Sequence, residues 1–247
     1  PIDELVRQAE VPLFIKTKLD LVLKNARRLL LLVNQLMDLQ KNQSGSLTLK
    51  LTHSDLNAFL LEIYYTFKQI AESKQITFQY EAPEGEIPVY FDQSLLEKAI
   101  FNLLSNAFKY SPKYGTILVS VTDNGPSVLI EVEDNGKGID KESLPRIFDR
   151  FYALKNTSNY STGIGLHLTR EYVELHHGYI TADSLPGAYT VFRVELFKGK
   201  SHFGENVTFD ETLPTNYLAD EVIDDNKVNE LLAKKYNETI VIAEDDS

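Results

Sequence analysis

Two glycine pairs in the middle of the chain have the residues to hold a phosphate. One, Asp134-Asn135-Gly136-Lys137-Gly138, directly follows an alternating apolar stretch; the other, Gly163-Ile164-Gly165-Leu166, directly precedes an amphipathic one. Glycines at a strand exit and a helix entrance let backbone N–H groups approach a phosphate closely, and a helix N-terminus favours negative charge. Neither pair extends to Gly-x-Gly-x-x-Gly, and no Gly-x-x-x-x-Gly-Lys-Ser/Thr occurs, so the dinucleotide fold and the P-loop both lack their spacing. Taken alone, Asp134-Asn135-Gly136 more commonly means an ordinary tight turn. Upstream, Asn102, Asn106, Lys109 and Tyr110 recur at helical spacing and share one face. Asparagines a turn apart among apolar neighbours are costly if buried without partners, whereas a carboxamide oxygen is a suitable hard ligand for Mg2+. The competing meaning is an amphipathic helix with a polar stripe.

These residues need elements to position them. The pattern runs as a short strand at 48–51, a helix opened by Ser54 or Asp55 and continuing to about 73, and strands at 76–81 and 89–91. A helix follows at about 93–110, then two alternating strands at 116–122 and 128–133 joined by Asp123-Asn124-Gly125-Pro126. After a loop-rich middle come a helix at 162–176 and strands at 179–184 and 190–197. Paired antiparallel strands with helices between them predict an α+β fold, a two-layer α/β sandwich and not a doubly wound sheet. Ahead of it, Ile15, Leu19, Val22, Ala26, Leu29, Val33 and Leu36 alternate at four and three, and Leu23, Leu30 and Met37 widen that face, as a helix of a bundle requires. A short first helix at 2–10 would close a hairpin through Val11-Pro12. The expected divisions are a partial helical hairpin at 1–44, the sandwich at 45–200, a polar linker at 201–238 with a short helix at 227–236, and an apolar strand with an acidic pair at 239–247.

The chain has 247 residues, with 25 Lys plus Arg against 36 Asp plus Glu and a net charge of −11. That balance excludes a generic nucleic-acid binder, whose surface works by releasing counterions to a basic patch. Hydrophobic residues at 43% permit a real core, and the absence of cysteine excludes a disulfide framework, a thiolate metal site and a Cys nucleophile. No run approaches the ~18 apolar residues of a membrane span. A start at Pro1-Ile2-Asp3-Glu4 leads us to expect an excised soluble piece of a longer protein.

In this order, the motifs resemble the ATP-binding catalytic domain of sensor histidine kinases over residues 55–197. They comprise an N box at 102–110, an Asp-x-Gly-x-Gly box at 134–138, a phenylalanine box Ile147-Phe148-Asp149-Arg150-Phe151-Tyr152 and a second glycine box at 163–166. Residues 25–40 resemble the second helix of the dimerisation and phosphotransfer hairpin. The resemblance implies ATP and Mg2+ as cofactors. Asp134 would accept the adenine amino group, Asn106 would coordinate Mg2+, Lys109 would neutralise phosphate charge, and Tyr110 would lie against the adenine. Asn102 would position the metal or its waters. Gly136, Gly138, Gly163 and Gly165 would let the backbone close over the nucleotide, and Ile139, Phe148, Tyr152, Leu166 and Thr190 complete the implied ATP-binding set. Residues 152–162 would form a lid, anchored by Phe148 and Phe151 unless those rings simply plug the core. Arg150 reads as a surface charge.

Related ATPases of the fold, such as gyrase, resemble one another in a glutamate general base where this chain has Asn102, which cannot take a proton from water. The resemblance therefore implies poor hydrolysis and transfer of the γ-phosphoryl to a histidine, positioning and electrostatics being most of that chemistry. The acceptor histidine is missing. His53, His167, His176, His177 and His202 lack the family's setting for it, with His176 and His177 read as a helix-ending pair suited to the macrodipole. Residues 240–246 resemble the first strand and acidic pair of a receiver domain, which implies a hybrid kinase. Expected partners are a second copy through the hairpin and a receiver in cis or a response regulator, with no direct nucleic-acid binding. The location implied is cytoplasmic, on a membrane-anchored parent. The competing readings are a dimerising scaffold with a degenerate site and an ATP-hydrolysing switch.

Overall fold

The computed structural model describes residues 48–152, 163–204 and 207–210, together with isolated helical positions in the upstream segment. Of the upstream seam, Ile15, Leu19, Val22, Val33 and Met37 are helical, and all but Leu19 are exposed. The expected short first helix, residues 153–162, the helix at 227–236 and the receiver-like end lie outside the described residues.

Strand β1 (Lys50–Asp55) leads directly into helix α1 (Leu56–Lys74). Asp55 caps that helix by accepting the N–H groups of Asn57 at 3.0 Å and Ala58 at 3.3 Å, orphan donors in any first turn. Its carboxylate also accepts Ile87 N–H at 2.8 Å, which ties the cap to the chain entering β3. Leu56, Leu60, Ile63, Phe67 and Ile70 are buried at spacings of four and three, so one face of α1 meets the core. The helix stops where Gln75 turns left-handed at φ 57°.

Strands β2 (Thr77–Glu81) and β3 (Pro88–Phe91) precede the central helix α2 (Gln93–Tyr110). Asp92 caps α2 through Leu95 N–H and also accepts Lys50 N–H, joining α2 to β1. The hairpin β4 (Thr116–Asp123) and β5 (Ser127–Asp134) follows, its turn closed by Asp123 accepting Gly125 N–H. Helix α3 (Gly165–Leu175) and the hairpin β6 (Tyr179–Leu185) and β7 (Tyr189–Phe197) complete the sandwich.

The main sheet has the order β2-β4-β5-β7-β6, antiparallel except for the parallel β2–β4 pair. Its inner residues, among them Ile117, Val119, Ile130, Val132 and Val194, pack against α1 and α2 as the two-layer core. A second, smaller sheet was not expected. In it β1 lies between β3 and a three-residue strand, β8 (Thr208–Asp210). The stretch read as linker from residue 201 therefore begins inside the domain: Phe203, Val207 and Phe209 supply apolar contacts within an otherwise polar run. The first strand is likewise later than expected, because Thr52–Asp55 pairs with β3 and Lys50–Thr52 with β8. Helix α3 begins at Gly165, with Gly163 and Ile164 ahead of it.

Candidate nucleotide-binding site

Helix α2 is the hinge between core and site. Leu96, Ile100, Leu103, Leu104, Ala107 and Phe108 are buried in the main core, and Leu95 and Ala99 in a smaller cluster. The remaining face carries the half-buried Asn102, Asn106, Lys109 and Tyr110. Helical spacing thus gathers the four predicted residues on one side, as the sequence required.

At the end of β5, Asp134 is only 3% exposed and its carboxylate accepts Gly136 N–H at 2.9 Å. Burial pushes it up to about 6; the Gly136 hydrogen bond opposes that rise and the Glu133 charge adds to it. Thr190 on β7 is its cross-strand neighbour, also buried. A Cβ on Gly136 would stand 2.5 Å from the Tyr110 carbonyl oxygen, so the strand exit lies directly against the C-terminus of α2. Lys137 extends that contact, its N–H donating to Tyr110 O at 3.4 Å and its Nζ standing 4.5 Å from the centre of the Tyr110 ring. Lys109 Nζ stands 5.2 Å from the same ring. Partial burial lowers the Lys137 pKa. Two ammonium groups therefore flank one aromatic face, and the sequence had singled out only Lys109.

Gly138 has φ +67°, and a Cβ there would come 2.2 Å from Leu185 O, so no side chain fits. The loop is held from the other side by Ile139 N–H donating to Ser184 Oγ at 2.8 Å. Ser184 donates to Tyr189 O at 2.7 Å and stands 3.0 Å from Thr190 Oγ1. Ser184 was not anticipated; a serine inside an alternating strand gives no local signal that its hydroxyl buttresses a loop from another strand.

The second pair is built differently. Gly163, at φ +67°, accepts Phe151 N–H at 2.9 Å. A Cβ on Gly165 would stand 2.4 Å from Asn102 Oδ1. Asn102 Nδ2 donates to Thr169 Oγ1 at 2.8 Å, and Thr169 Oγ1 donates to Gly165 O at 3.0 Å. Asn102 thus fastens the first turn of α3 to α2. Leu166 packs on the main core, as does Phe148, whose ring meets Phe192 edge-on at 6.2 Å. The two phenylalanines part company here. Phe148 plugs the core, while Phe151 is 61% exposed at φ 63° with Arg150 over its ring. Tyr152 donates its hydroxyl to Ser143 Oγ at 2.9 Å.

Of the histidines, His176 departs most from expectation. It is buried, its Nδ1 lies 2.6 Å from Tyr172 O, and its Nε2 accepts Asp92 N–H at 2.9 Å. Nδ1 must therefore carry the proton and donate, and burial lowers the pKa, so the ring is a neutral brace and not a macrodipole cation. His167 Nδ1 stands 3.2 Å from Phe148 O. The left-handed position after α3 is taken by His177, φ 56°.

A two-layer sandwich with a buried carboxylate at a glycine-lined strand exit, set against a helix face of carboxamide and ammonium groups, defines an ATPase-type nucleotide domain. Residues 91–200 match the family of histidine kinase-, DNA gyrase B-, and HSP90-like ATPases. Within that class the chain belongs to the sensor histidine kinases. Histidine kinase P4 of Formosa agariphila is 32% identical over 246 residues, covering 92% of this chain and 18% of its own length. Sensor histidine kinase TmoS of Ectopseudomonas mendocina is 38% identical over 183 residues, covering 72% of this chain and 19% of its own. The catalytic domain of histidine kinase ThkA superimposes with a TM-score of 0.55 at 26% identity, covering 60% of this chain and 98% of that one. The chain spans about a fifth of the length of the curated relatives it matches.

Proposed function

We propose that this region binds ATP with Mg2+ and presents the γ-phosphoryl to a histidine supplied elsewhere in the parent kinase, for relay to an aspartate. The observation that carries the reading is the buried Asp134 carboxylate at a glycine exit pressed against the polar face of α2. The residues fit the nucleotide: Gly136 and Gly165 are positions that a Cβ would fill, and Asp134 can accept from an exocyclic amino group but offers a guanine carbonyl no donor while ionised. Asn106 would hold Mg2+, which would supply positive charge to offset the negative charge of the phosphates. Lys109 and Lys137 would supply positive charge, and Tyr110 an apolar face. Asn102 has no basic atom with which to activate water, and its amide is committed to Thr169, so transfer is favoured over hydrolysis.

The finer partners follow from the same reading. A second copy would pair through the hairpin at 1–44, whose exposed Ile15, Val22, Val33 and Met37 are apolar. The acidic pair near residue 245 would open a receiver in cis, the alternative recipient being a separate response regulator. No described helix is long and apolar enough to cross a membrane; a cytoplasmic position on a membrane-anchored parent is part of this proposal. Calorimetric titration with AMPPNP, with and without Mg2+, against a GTP analogue tests the core claim. Selective, Mg2+-dependent adenine-nucleotide binding is expected. Equal affinity for the two bases, or none for either, would reject it.

A further inference from the structure

After β7 the chain returns to the domain beyond residue 200, where the family match ends. Strand β8 runs parallel to β1 with Lys50 opposite Thr208, Leu51 opposite Phe209 and Thr52 opposite Asp210. Thr208 donates to Leu49 O twice, by its N–H at 3.2 Å and its hydroxyl at 3.3 Å. Lys200 Nζ stands 5.0 Å from the centre of the Tyr90 ring and 4.9 Å from that of Phe209, and the two rings meet edge-on at 5.8 Å.

Phe203, Val207 and Phe209 pack against a cluster of buried residues separate from the main core. That cluster takes Leu49 and Leu51 from the β1 side, Leu168 from α3, and Ile164. Ile164 lies between Gly163 and Gly165 and is 7% exposed. One small group of side chains therefore carries both the strand leaving the domain and the residue at the centre of the second glycine pair. A three-residue edge strand resting on partly buried rings is the kind of unit that opens locally without global unfolding.

We propose that Phe203 and residues 207–210 form a docking strap that positions the second glycine pair, so that strap docking and nucleotide affinity are coupled. This rests on the reading that Gly163 and Gly165 contact the nucleotide. With the strap docked, Ile164 is buried within the shared cluster and the first turn of α3 is held in register on Asn102. With the strap released, the cluster loses three of its apolar partners and the glycine pair loses its support. Coupling is reciprocal, so bound nucleotide must also favour the docked strap.

The test combines hydrogen exchange with AMPPNP titration on the whole chain. Thr208→Pro removes the N–H that Leu49 O accepts, at an edge with no further strand among the described residues. It should raise exchange at 164–168 and weaken AMPPNP binding, each about fivefold, the low end of ordinary inter-site coupling. Phe209→Ala should do the same, and Phe209→Leu should largely restore both. In the parent chain, AMPPNP should slow exchange at 207–210, which a merely structural strap would not show. Nucleotide-independent exchange at 207–210 in a chain that binds AMPPNP would overturn the proposal, as would a released strap with 164–168 and affinity unchanged. If the chain binds no nucleotide, the reading of the site fails by itself, and exchange at 164–168 in the two variants still decides whether the strap positions that turn.

Discussion

The two glycine pairs perform similar tasks on different foundations. The first, Gly136 and Gly138, rests mainly on backbone: β5 is in register with β7 and the Tyr110 and Leu185 carbonyls crowd the two glycines, with the Asp134 and Ser184 side chains accepting Gly136 N–H and Ile139 N–H. The second, Gly163 and Gly165, leans more on side chains: one backbone bond, Phe151 N–H to Gly163 O, is joined by Asn102 through Thr169 and by Ile164 within the small cluster. Backbone ladders between interior strands of a sheet move little, whereas side-chain supports have alternative arrangements and can be biased from elsewhere. Under the proposed function, the difference would suit base selection at the first pair, where a shift of one hydrogen bond would lose discrimination, and adjustment at the second.

Substitutions on the first side should therefore have the larger effects. Gly138→Ala forces a side chain into a left-handed backbone against Leu185 O, and should cost about 3 kcal/mol of stability or more by denaturant unfolding, with nucleotide binding lost. A midpoint close to that of the parent chain would show that the loop yields and would remove the contrast. Asp134→Asn should weaken AMPPNP binding by about 2 kcal/mol, the scale of a hydrogen bond to a charged group, and narrow the preference over a GTP analogue.

The same carboxyl gives the first side a pH signature. Its folded value of about 6 lies above the ordinary 3.8, so the native state holds the extra proton between those values. By linkage this group's contribution to stability is full below about pH 4 and is lost as pH rises through about 6. Affinity should run the opposite way, falling as pH is lowered through about 6 and the acceptor is protonated. Asp134→Asn should flatten both trends, and an affinity profile unchanged in the variant would detach them from this residue.

Smaller effects belong to the second side and to the aromatic face. Lys137→Met should weaken AMPPNP binding by about 1 kcal/mol, the scale of a partly desolvated cation on a ring, with the loss diminished at high salt. Thr169→Val leaves Asn102 Nδ2 without its partner and should destabilise by about 1 kcal/mol, with faster exchange in the first turn of α3. An effect larger than that of Gly138→Ala would reverse the comparison.

Much of this was legible in the chain because the signals are local. Helical spacing gathers Asn102, Asn106, Lys109 and Tyr110 whatever they face, and Asp-x-Gly-x-Gly after an alternating stretch marks a strand exit. Helix α2 spans the residues its pattern predicted, and the β4–β5 hairpin follows from Asp123-Asn124-Gly125. Three features were not legible, each for want of a local cue. Phe148 and Phe151 look alike in sequence, yet only the first finds Phe192 on a distant strand. His176 is neutral because it is buried, with Asp92 N–H, far upstream, donating to its Nε2. A three-residue β8 in a polar run has no periodicity to detect, and its pairing partner lies near the start of the domain.

The sequence by itself determined the class of chemistry: which side chains stand on one helix face, where the backbone must lack a Cβ, and that an amide stands where related ATPases carry a base. Only the tertiary structure decided how those parts are supported, since burial of Asp134, pairing of Asn102 with Thr169 and seating of Ile164 in the small cluster depend on contacts between residues remote in the chain. Local periodicity is encoded in neighbours, whereas desolvation and long-range pairing exist only after the layers close.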